Sequence, residues 1–309
     1  MTLVDGYAFR TPSEDDLDAI EAVLAADDVD DVGEPVLNAD FVREVWSIPG
    51  FDLDRDAWMI VDTEATVVAY GHTQPEDPDI VESWGIVHPD HRGRGLGTAL
   101  LDRIEARTKE RLAEPRFRRF HHAVNAGDAA AANMLEARGL RPVRSFWHME
   151  IDVETPFETG TSPEGIAIGG VDHDDLPALH SVVDDAFSEH WGYAPTPFDR
   201  WVELYASGPS FDPTLWLLAW DGDQAVGALT ANVFGDRGWV AEVGVRSSHR
   251  SRGIASALLR RSFATFADRG LRSVMLNVDA ENTTGATALY EHVGMHVIKR
   301  WDVWERLED

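Results

Sequence analysis

Apolar side chains fill most positions of the segment 239–245, where they surround a single carboxylate, Glu242. A short apolar run of this kind, bounded by turn residues, is typical of a strand. A polar stretch, 247–253, follows it and ends in glycine, and apolar residues then recur at helical spacing over 254–266. The pattern therefore predicts a strand, a tight turn and a helix in direct succession.

The same succession occurs a second time, nearer the N-terminus, in the segment 81–101. Arg92 in this copy and Arg250 in the other are about 158 residues apart, and matching segments before and after them recur at offsets of about 155 to 159 residues. Matches in the same order at nearly one offset indicate an internal duplication. The sequence therefore predicts two domains.

Each half combines strands and helices in the same order. Strand patterns at 58–61 and 67–72, and at 215–220 and 225–234, predict an antiparallel hairpin before each strand–turn–helix segment. A further strand, helix and strand are expected after it. We therefore predict an α/β fold, with an α+β mixed sheet in each of two tandem domains. The predicted domains are 1–153 and 165–309, and a linker rich in Pro, Thr and Gly joins them at 154–164.

The chain is strongly acidic, with a formal net charge of −28, and its lysines are Lys109 and Lys299 alone. A charge of this sign repels phosphate backbones, so no nucleic-acid partner is expected. It indicates a well-solvated surface, and it is also compatible with a cationic acceptor or with a salty cytoplasm. The acidic segment 27–40 predicts a loop after a first helix at about 17–24.

The chain has no cysteine, which excludes disulfides, thiolate nucleophiles and cysteine metal sites. Two histidine pairs, His88 with His91 and His121 with His122, lack a third ligand at a recognisable spacing, so no metal is expected. No apolar run approaches the roughly twenty residues of a membrane helix. The first residues lack the pattern of a signal peptide. We therefore expect a cytoplasmic protein with no membrane partner.

Both turns carry an arginine, then a glycine three residues later, then a small residue two further on. The N–H groups at a helix N-terminus are unpaired and favour negative charge, and small residues let an anion approach them. A dinucleotide-binding loop would need G-x-G-x-x-G, and a P-loop would need a lysine after its glycine; neither turn meets these requirements. The turns therefore predict a pyrophosphate-binding site in each half.

The strand, this turn and the helix resemble the acetyl-CoA-binding segment of the GCN5-related N-acetyltransferase (GNAT) family, and the segment 278–295 resembles the part that follows it. The resemblance covers nearly the whole chain as two tandem GNAT domains, similar to two-domain acetyltransferases such as mycothiol synthase. It implies acetyl-CoA as acyl donor and a primary amine of a small molecule as acceptor. A protein or peptide N-acetyltransferase and a non-catalytic acyl-CoA-binding module are the alternatives.

Glu242 is the candidate general base, because one carboxylate in an apolar strand is costly unless it is paired or used. The alternative is a carboxylate at the rim of the site, paired with an arginine or merely binding the amine. A strand bulge would also turn it to the other face.

By resemblance Tyr290 is the candidate general acid, since a phenol of pKa ~10 can protonate a thiolate; a core tyrosine is the alternative. The segment 188–193 lies where the family shapes its acceptor site.

The resemblance also implies which residues bind acetyl-CoA. In the second half they are Val243, Gly244, Val245, Arg250, Ser251, Arg252, Gly253, Ile254, Ala255, Ser256 and Asn282, the last of which would otherwise cap a helix. In the first half they are Ile86, Val87, Arg92, Gly93, Arg94, Gly95, Leu96, Gly97 and Thr98.

The first half departs from the pattern at both catalytic positions. Trp84 stands where the second half has Glu242, and Leu135 stands where it has Tyr290. We therefore expect the first half to bind acetyl-CoA but to lack the usual acid, with the chemistry in the second half. Glu82, on the same strand, leaves weaker catalysis possible, and a purely scaffolding half is the alternative.

Overall fold

The computed structural model describes residues 3–76, 79–207 and 211–306. The chain forms two compact units. Unit 1 consists of Met1–Phe146 together with Lys299–Asp309, and unit 2 consists of Trp147–Ile298. Within the described residues, no helix is long and apolar enough to cross a membrane.

Unit 1 is a mixed sheet packed against helices, which confirms the predicted α/β class. Its strands run in the order β1-β2-β3-β4-β5-β12, with β4 and β5 parallel and the neighbouring pairs β1–β2, β2–β3, β3–β4 and β5–β12 antiparallel. The elements are β1 Ala8–Arg10, α1 Leu17–Val32, α2 Ala39–Ser47, α3 Leu53–Asp56, β2 Ala57–Val61, β3 Val67–Glu76, β4 Ile80–Val87, α4 Leu96–Leu112, β5 Arg119–Asn125, α5 Ala129–Glu136, the first part of β6 Leu140–Asp152, and most of β12 His296–Arg306.

Unit 2 repeats this plan. Its strands run in the order β6-β11-β10-β9-β8-β7, with β10 and β11 parallel and the β7–β8, β8–β9 and β9–β10 pairs antiparallel. The elements are the second part of β6, β7 Ile166–Gly170, α6 Leu176–Phe187, α7 Phe198–Tyr205, β8 Leu217–Asp221, β9 Gln224–Phe234, β10 Arg237–Val245, α8 Ile254–Asp268, β11 Ser273–Asp279 and α9 Ala286–His292.

The last strand of the chain belongs mainly to unit 1, where β12 pairs with β5 from Trp301↔Asn125 to Glu305↔His121. The compact units therefore divide the chain inside β6 and inside β12, and not at the predicted 154–164 linker. Hydrophobic alternation identifies a strand but does not identify the sheet that it joins. The first helix also differs from the prediction, because α1 continues to Val32 through the acidic residues expected in a loop.

In unit 2 the helix α8 packs closely against a sheet position that is occupied by glycine. A Cβ atom at Gly238 would lie 2.7 Å from the ring of Phe266, a fully buried side chain of α8. A Cβ atom at Gly169, on the edge strand β7, would meet nothing within 4 Å. The two glycines therefore form a matched pair that separates overpacking from the general effect of replacing glycine in a strand.

We expect Gly238→Ala to lower the free energy of unfolding by about 1–3 kcal/mol, because the ring must shift to admit the methyl group. Gly169→Ala should change it by less than about 0.5 kcal/mol. Urea unfolding followed by tryptophan fluorescence measures both. Equal midpoints for the two variants would mean that Phe266 moves aside without cost.

Candidate active site

A β-bulge in β10 decides where Glu242 points. The pairing with β9 runs from Arg237↔Phe234 to Val240↔Ala231 and resumes at Glu242↔Thr230, so Ala241 is the extra residue. Gly238, before the bulge, faces α8, whereas Gly244, after it, faces α6: a Cβ at Gly244 would lie 2.6 Å from the Ala186 side chain. Because strand residues alternate in face, Glu242 shares the α6 face with Gly244.

The bulge also marks the point where β10 and β11 separate. Their parallel pairing covers Arg237 to Val240, against Ser273 to Leu276, and ends there. Past this point Arg246 donates its N–H to the Val226 carbonyl of β9, at 2.9 Å. Successive residues present their N–H groups to alternate edges, so Val243 and Val245 present theirs to the edge that β11 leaves open, and Gly244 presents its N–H to β9.

The turn after β10 is an anion-binding loop in its geometry. Ser251 and Gly253 have left-handed φ angles of 62° and 78°, and α8 begins without a side-chain cap. The first hydrogen bond of the helix runs from Ala257 N–H to the Gly253 carbonyl, at 3.1 Å. The N–H groups of Ile254, Ala255 and Ser256 therefore have no partner within the helix and are available to an anion.

The two arginines of this turn are held by exposed carboxylates. Arg250 contacts Glu189 at 2.9 Å and also donates Nε–H to the Val245 carbonyl, at 3.4 Å. Arg252 contacts Asp221 at 2.8 Å. Exposed ion pairs of this kind contribute only about 0–1 kcal/mol, so a phosphate can displace them at little cost.

Glu242 is half-buried, and Thr230 donates a hydrogen bond to its carboxylate at 3.1 Å. Burial raises the pKa of Glu242 to about 7, and the Thr230 hydroxyl opposes the shift. A carboxyl group with this pKa exchanges protons close to neutral pH, as a general base must.

Tyr290 lies on α9, and its side chain is buried in the core of unit 2. Its hydroxyl has no hydrogen-bond partner among the described residues. Burial raises the pKa of the phenol, so the group keeps its proton at neutral pH. Asn282 accepts a hydrogen bond from the Thr284 N–H at 2.7 Å, within the turn before α9. It stabilises that turn but is not the N-cap, which is Gly285.

Two polar side chains, Tyr193 and Asp184, form a hydrogen-bonded pair that the sequence did not predict. The Tyr193 hydroxyl donates a hydrogen bond to the carboxylate of Asp184, a residue of α6. Burial, the bond to Asp184 and the charge of Glu242 together raise the pKa of Tyr193. Tyr193 lies in the segment expected to shape an acceptor site, whereas Asp184 has the spacing of an ordinary exposed helix residue. No sequence signal distinguishes it from its neighbour Asp185.

The turn of unit 1 has the same backbone form. Gly93 and Gly95 have left-handed φ angles of 73° and 78°. The first hydrogen bond of α4 runs from Ala99 N–H to the Gly95 carbonyl at 3.0 Å, which leaves the N–H groups of Leu96, Gly97 and Thr98 without a partner in the helix. Arg94 donates to the Tyr7 hydroxyl at 2.5 Å.

The strand that leads into this turn has no bulge. The pairing of β4 with β3 is regular from Ala69↔Val87 to Glu76↔Ile80. His88 N–H donates to the Val68 carbonyl at 2.8 Å, so Val87 presents its N–H to the opposite edge and Ile86 presents its own to β3.

The arginine of this turn is held by the acidic end of α1. Arg92 contacts Asp27 at 2.7 Å and Asp30 at 2.5 Å. Asp27 also accepts a hydrogen bond from the side chain of Asn125, at the end of β5, at 3.1 Å. Lys299 is buried against Asp28 at 2.6 Å. Two carboxylates of α1 thus already offset the charge of Arg92, and Asp27 ties the arginine to the end of β5.

In unit 1, apolar groups occupy the positions that match Glu242 and Tyr290. Trp84 packs edge-on against Tyr70, with ring centroids 6.5 Å apart, and Leu135 is fully buried. Glu82 accepts a hydrogen bond from Gln74 at 3.0 Å, and burial raises the pKa of its carboxyl group. In the described part of the chain, no group of three or more His, Asp or Glu side chains is arranged to hold a metal ion.

Comparison with known proteins gives a consistent match. Residues 29–140 and 176–295 match the model of the Acetyltransferase (GNAT) family. The chain is 32% identical over 260 residues to a mycothiol acetyltransferase of Catenulispora acidiphila, covering 78% of this chain and 79% of that protein. It is 28% identical over 299 residues to a mycothiol acetyltransferase of Saccharopolyspora erythraea, covering 90% and 95%.

Solved structures show the same fold. A GCN5-related N-acetyltransferase from Sphaerobacter thermophilus superposes with a TM-score of 0.84 at 35% identity, covering 98% of this chain and 96% of that chain. A tandem GNAT protein from the clavulanic acid biosynthesis pathway superposes with a TM-score of 0.70 at 15% identity, covering 98% and 99%. At that identity the second likeness concerns the fold alone.

Proposed function

The chain belongs to the acetyltransferase (GNAT) family, and on that premise we propose that unit 2 carries the chemistry, with Glu242 as general base and Tyr290 as general acid. The protein is an acetyl-CoA-dependent N-acetyltransferase that acts on an amine of a small molecule. The observation that carries the proposal is the bulge at Ala241, which separates β10 from β11 and puts a carboxylate of pKa about 7 on the α6 face beside the opening.

The donor side uses backbone groups. The N–H groups of Val243 and Val245 at the open edge of β10 would hydrogen-bond the thioester carbonyl and the pantetheine arm, as a neighbouring strand would. The N–H groups of Ile254 to Ser256, assisted by Arg250, would hold the pyrophosphate. These donors are fixed by the sheet and by α8, so the thioester is polarised without rearrangement of the protein.

The acetyl transfer then needs one proton acceptor and one proton donor. Glu242 accepts a proton from the ammonium form of the acceptor, and the freed lone pair of the neutral amine attacks the carbonyl carbon of the thioester. The C–N bond forms, the C–S bond breaks, and the leaving thiolate takes the proton of the Tyr290 hydroxyl. The acylated nitrogen loses its remaining extra proton to solvent, Glu242 releases its proton, and Tyr290 regains one from water, so the products are the N-acetylated amine and the free thiol of CoA. Glu242, with a pKa of about 7, is matched to proton transfer near neutral pH, and the buried Tyr290 phenol keeps its proton until the thiolate leaves.

The relatives at about 30% identity suggest a class of acceptor. Because they are named mycothiol acetyltransferases, an amine of the mycothiol type is the first acceptor to test. The half-buried Glu242 is also suited to any primary amine that arrives as a cation. Both the mycothiol-type amine and other primary amines of small molecules are therefore proposed acceptors, and transfer to a protein N-terminus is a separate outcome of the test.

The experiment is a thiol-release assay with acetyl-CoA and a panel of glucosamine, cysteine, spermidine, phenylethylamine and a mycothiol-type amine. Acetyl transfer to at least one small amine, confirmed by mass spectrometry of the product, is the expected result. Thiol release that never exceeds the blank with any amine, while acetyl-CoA binds, would favour a non-catalytic acyl-CoA-binding module. Transfer to peptides alone would favour a protein N-acetyltransferase.

The two phosphate turns give a matched pair of variants. We expect Arg250→Gln to raise the KM for acetyl-CoA about tenfold or more, because a charge-assisted hydrogen bond to phosphate is worth about 1.5–3 kcal/mol. Arg92→Gln should leave the KM nearly unchanged, since Asp27 and Asp30 already occupy that arginine. Steady-state kinetics at fixed amine measures both, and the opposite order would move the productive donor site to unit 1.

A further inference from the structure

The bulge at Ala241 also decides which side chains accompany Glu242 on its face of the sheet. Positions 239 and 242 are an odd number of residues apart, so a regular strand would direct their side chains to opposite faces. Because Ala241 is an extra residue in β10, both side chains lie on the face that packs against α6. The neighbour of Trp239 agrees with this placement, since Gly238 faces Phe266 of α8 on the other side.

The partner strand β9 gives the spacing of the two side chains. Glu242 is paired with Thr230 and accepts its hydrogen bond at 3.1 Å, and Trp239 is paired with Asn232. These two partners are two residues apart on β9, so the positions of Trp239 and Glu242 are about 7 Å apart along one face. A small ligand whose amine contacts the Glu242 carboxylate can therefore reach the indole as well.

Trp239 belongs to a group of three rings, which we call the Trp239 patch: Trp239, His148 and Phe234. The His148 ring stands perpendicular to the indole, with centroids 5.6 Å apart, and the Phe234 ring lies at 6.4 Å from it. All three side chains are half-buried, so part of the patch remains open to a ligand. Unit 1 has a fully buried valine, Val81, at the position that matches Trp239, so the patch is a feature of unit 2.

Resting on the proposed function, we propose that the Trp239 patch is the part of the acceptor site that selects amines carried by a ring. The amine nitrogen contacts Glu242, and the ring lies against the indole of Trp239. The shared chemistry is a flat apolar surface, which an aromatic ring and the C–H face of a sugar ring both present. Trp239 touches the acceptor but takes no part in proton transfer, so it is a specificity-determining residue.

Stacking on the patch distinguishes ring-bearing amines from linear amines of similar polarity. Both kinds bury apolar surface, but only a ring gains the geometry-dependent contact with the indole, which amounts to roughly 2- to 12-fold in affinity. Two pairs of amines isolate this contact: phenylethylamine with pentylamine, and glucosamine with the open-chain amine glucamine. The wild type should prefer the ring-bearing member of at least one pair by about this factor in kcat/KM.

The test uses three variants of unit 2. Trp239→Leu removes the ring and keeps an apolar side chain, and Trp239→Phe keeps a smaller ring. Trp147→Leu is the matched control: Trp147 is also a half-buried tryptophan, but it packs against the core of unit 2 on the face opposite to its neighbour His148. The readouts are kcat/KM for each amine, the KM for acetyl-CoA, the thermal midpoint, and the dissociation constants of the four amines, measured by calorimetry with CoA bound.

We expect Trp239→Leu to bring the ratio of kcat/KM between the ring-bearing and the linear amine to about 1, and Trp239→Phe to keep part of the preference. Trp147→Leu should keep the wild-type ratio, and the KM for acetyl-CoA should not change in the Trp239 variants. Equal values for the two members of both pairs in the wild type, or an unchanged ratio in Trp239→Leu, overturns the proposal. If Trp239→Leu does not fold, a full wild-type ratio in Trp239→Phe has the same consequence.

The binding measurement separates this proposal from the proposed function. If the wild type acetylates none of the amines, the proposed function fails, and the dissociation constants then test the patch by themselves. Tighter binding of a ring-bearing amine that is lost in Trp239→Leu supports the patch, and equal binding of both members overturns it. The pair that shows the preference identifies the ring as aromatic or as a sugar.

Discussion

Replacing Glu242 with glutamine is expected to lower kcat by about 100- to 1,000-fold, which is the range typical of a lost general base. Glutamine has nearly the same shape and still accepts a hydrogen bond from Thr230, so the bulge and the α6 face should keep their form. The KM for acetyl-CoA should not change, because the donor contacts proposed for β10 are made by backbone groups. Steady-state kinetics with saturating acetyl-CoA measures the loss.

The pH dependence gives the same experiment a second readout. Glu242 accepts a proton only in its ionised form, and its pKa is about 7. The kcat/KM of the wild type, measured at a fixed concentration of neutral amine, should therefore rise with pH and level off above about 7. In Glu242→Gln this limb should be absent. A limb that persists unchanged in the variant would assign the titration to another group.

Glu82 provides the matched control. It is also a carboxylate on the strand before a phosphate turn, it is also half-buried, and burial raises its pKa as well. Glu82→Gln should leave the rate of acetyl transfer within about twofold of the wild type, if unit 2 alone is catalytic. A loss comparable to that of Glu242→Gln would show that unit 1 also turns over.

The strand, turn and helix around Gly253 could be predicted because the information is local. Apolar periodicity indicates the two elements, and a glycine at a left-handed φ of 78° is what the turn between them requires. The same holds for the second copy at Gly95. The duplication also made the repeated order of elements visible without any structural information.

The bulge at Ala241 could not be predicted in this way. No residue type is specific to it, and it arises where β10 must both pair with β9 and part from β11. Its effect is nevertheless decisive, because it reverses which face Glu242 occupies. The sequence identified the carboxylate and left its direction open.

The pairing of strands that are distant in sequence could not be predicted, for a related reason. The segment 296–306 reads as a strand, but one of the strands that it pairs with is β5, which is far away in sequence. The acidic end of α1 was expected to form a loop because its charges are poor helix signals. In the structure Lys299 and Arg92 neutralise part of that charge, through Asp28 at 2.6 Å and Asp27 at 2.7 Å. Tertiary ion pairs of this kind override local propensity.

Replacing Tyr290 with phenylalanine is expected to lower kcat about 100-fold, because the leaving thiolate then loses its proton donor. The variant should keep the stability of the wild type, since the hydroxyl has no hydrogen-bond partner among the described residues and the ring remains in the core. The KM for acetyl-CoA should stay within about twofold of the wild type, because the aromatic ring at position 290 is retained.

This combination separates a catalytic hydroxyl from a structural one. A tyrosine that served only as core packing would tolerate the loss of its hydroxyl without any change in rate, and Tyr205→Phe, at an exposed position on α7, supplies the baseline for removing a tyrosine hydroxyl from unit 2. Because burial raises the pKa of Tyr290, the phenol remains protonated through neutral pH. The wild-type rate should accordingly not decline between about pH 7 and 9 through ionisation of Tyr290, and Tyr290→Phe should have the same pH profile in this range. A full rate in Tyr290→Phe would assign the proton of the thiol to water.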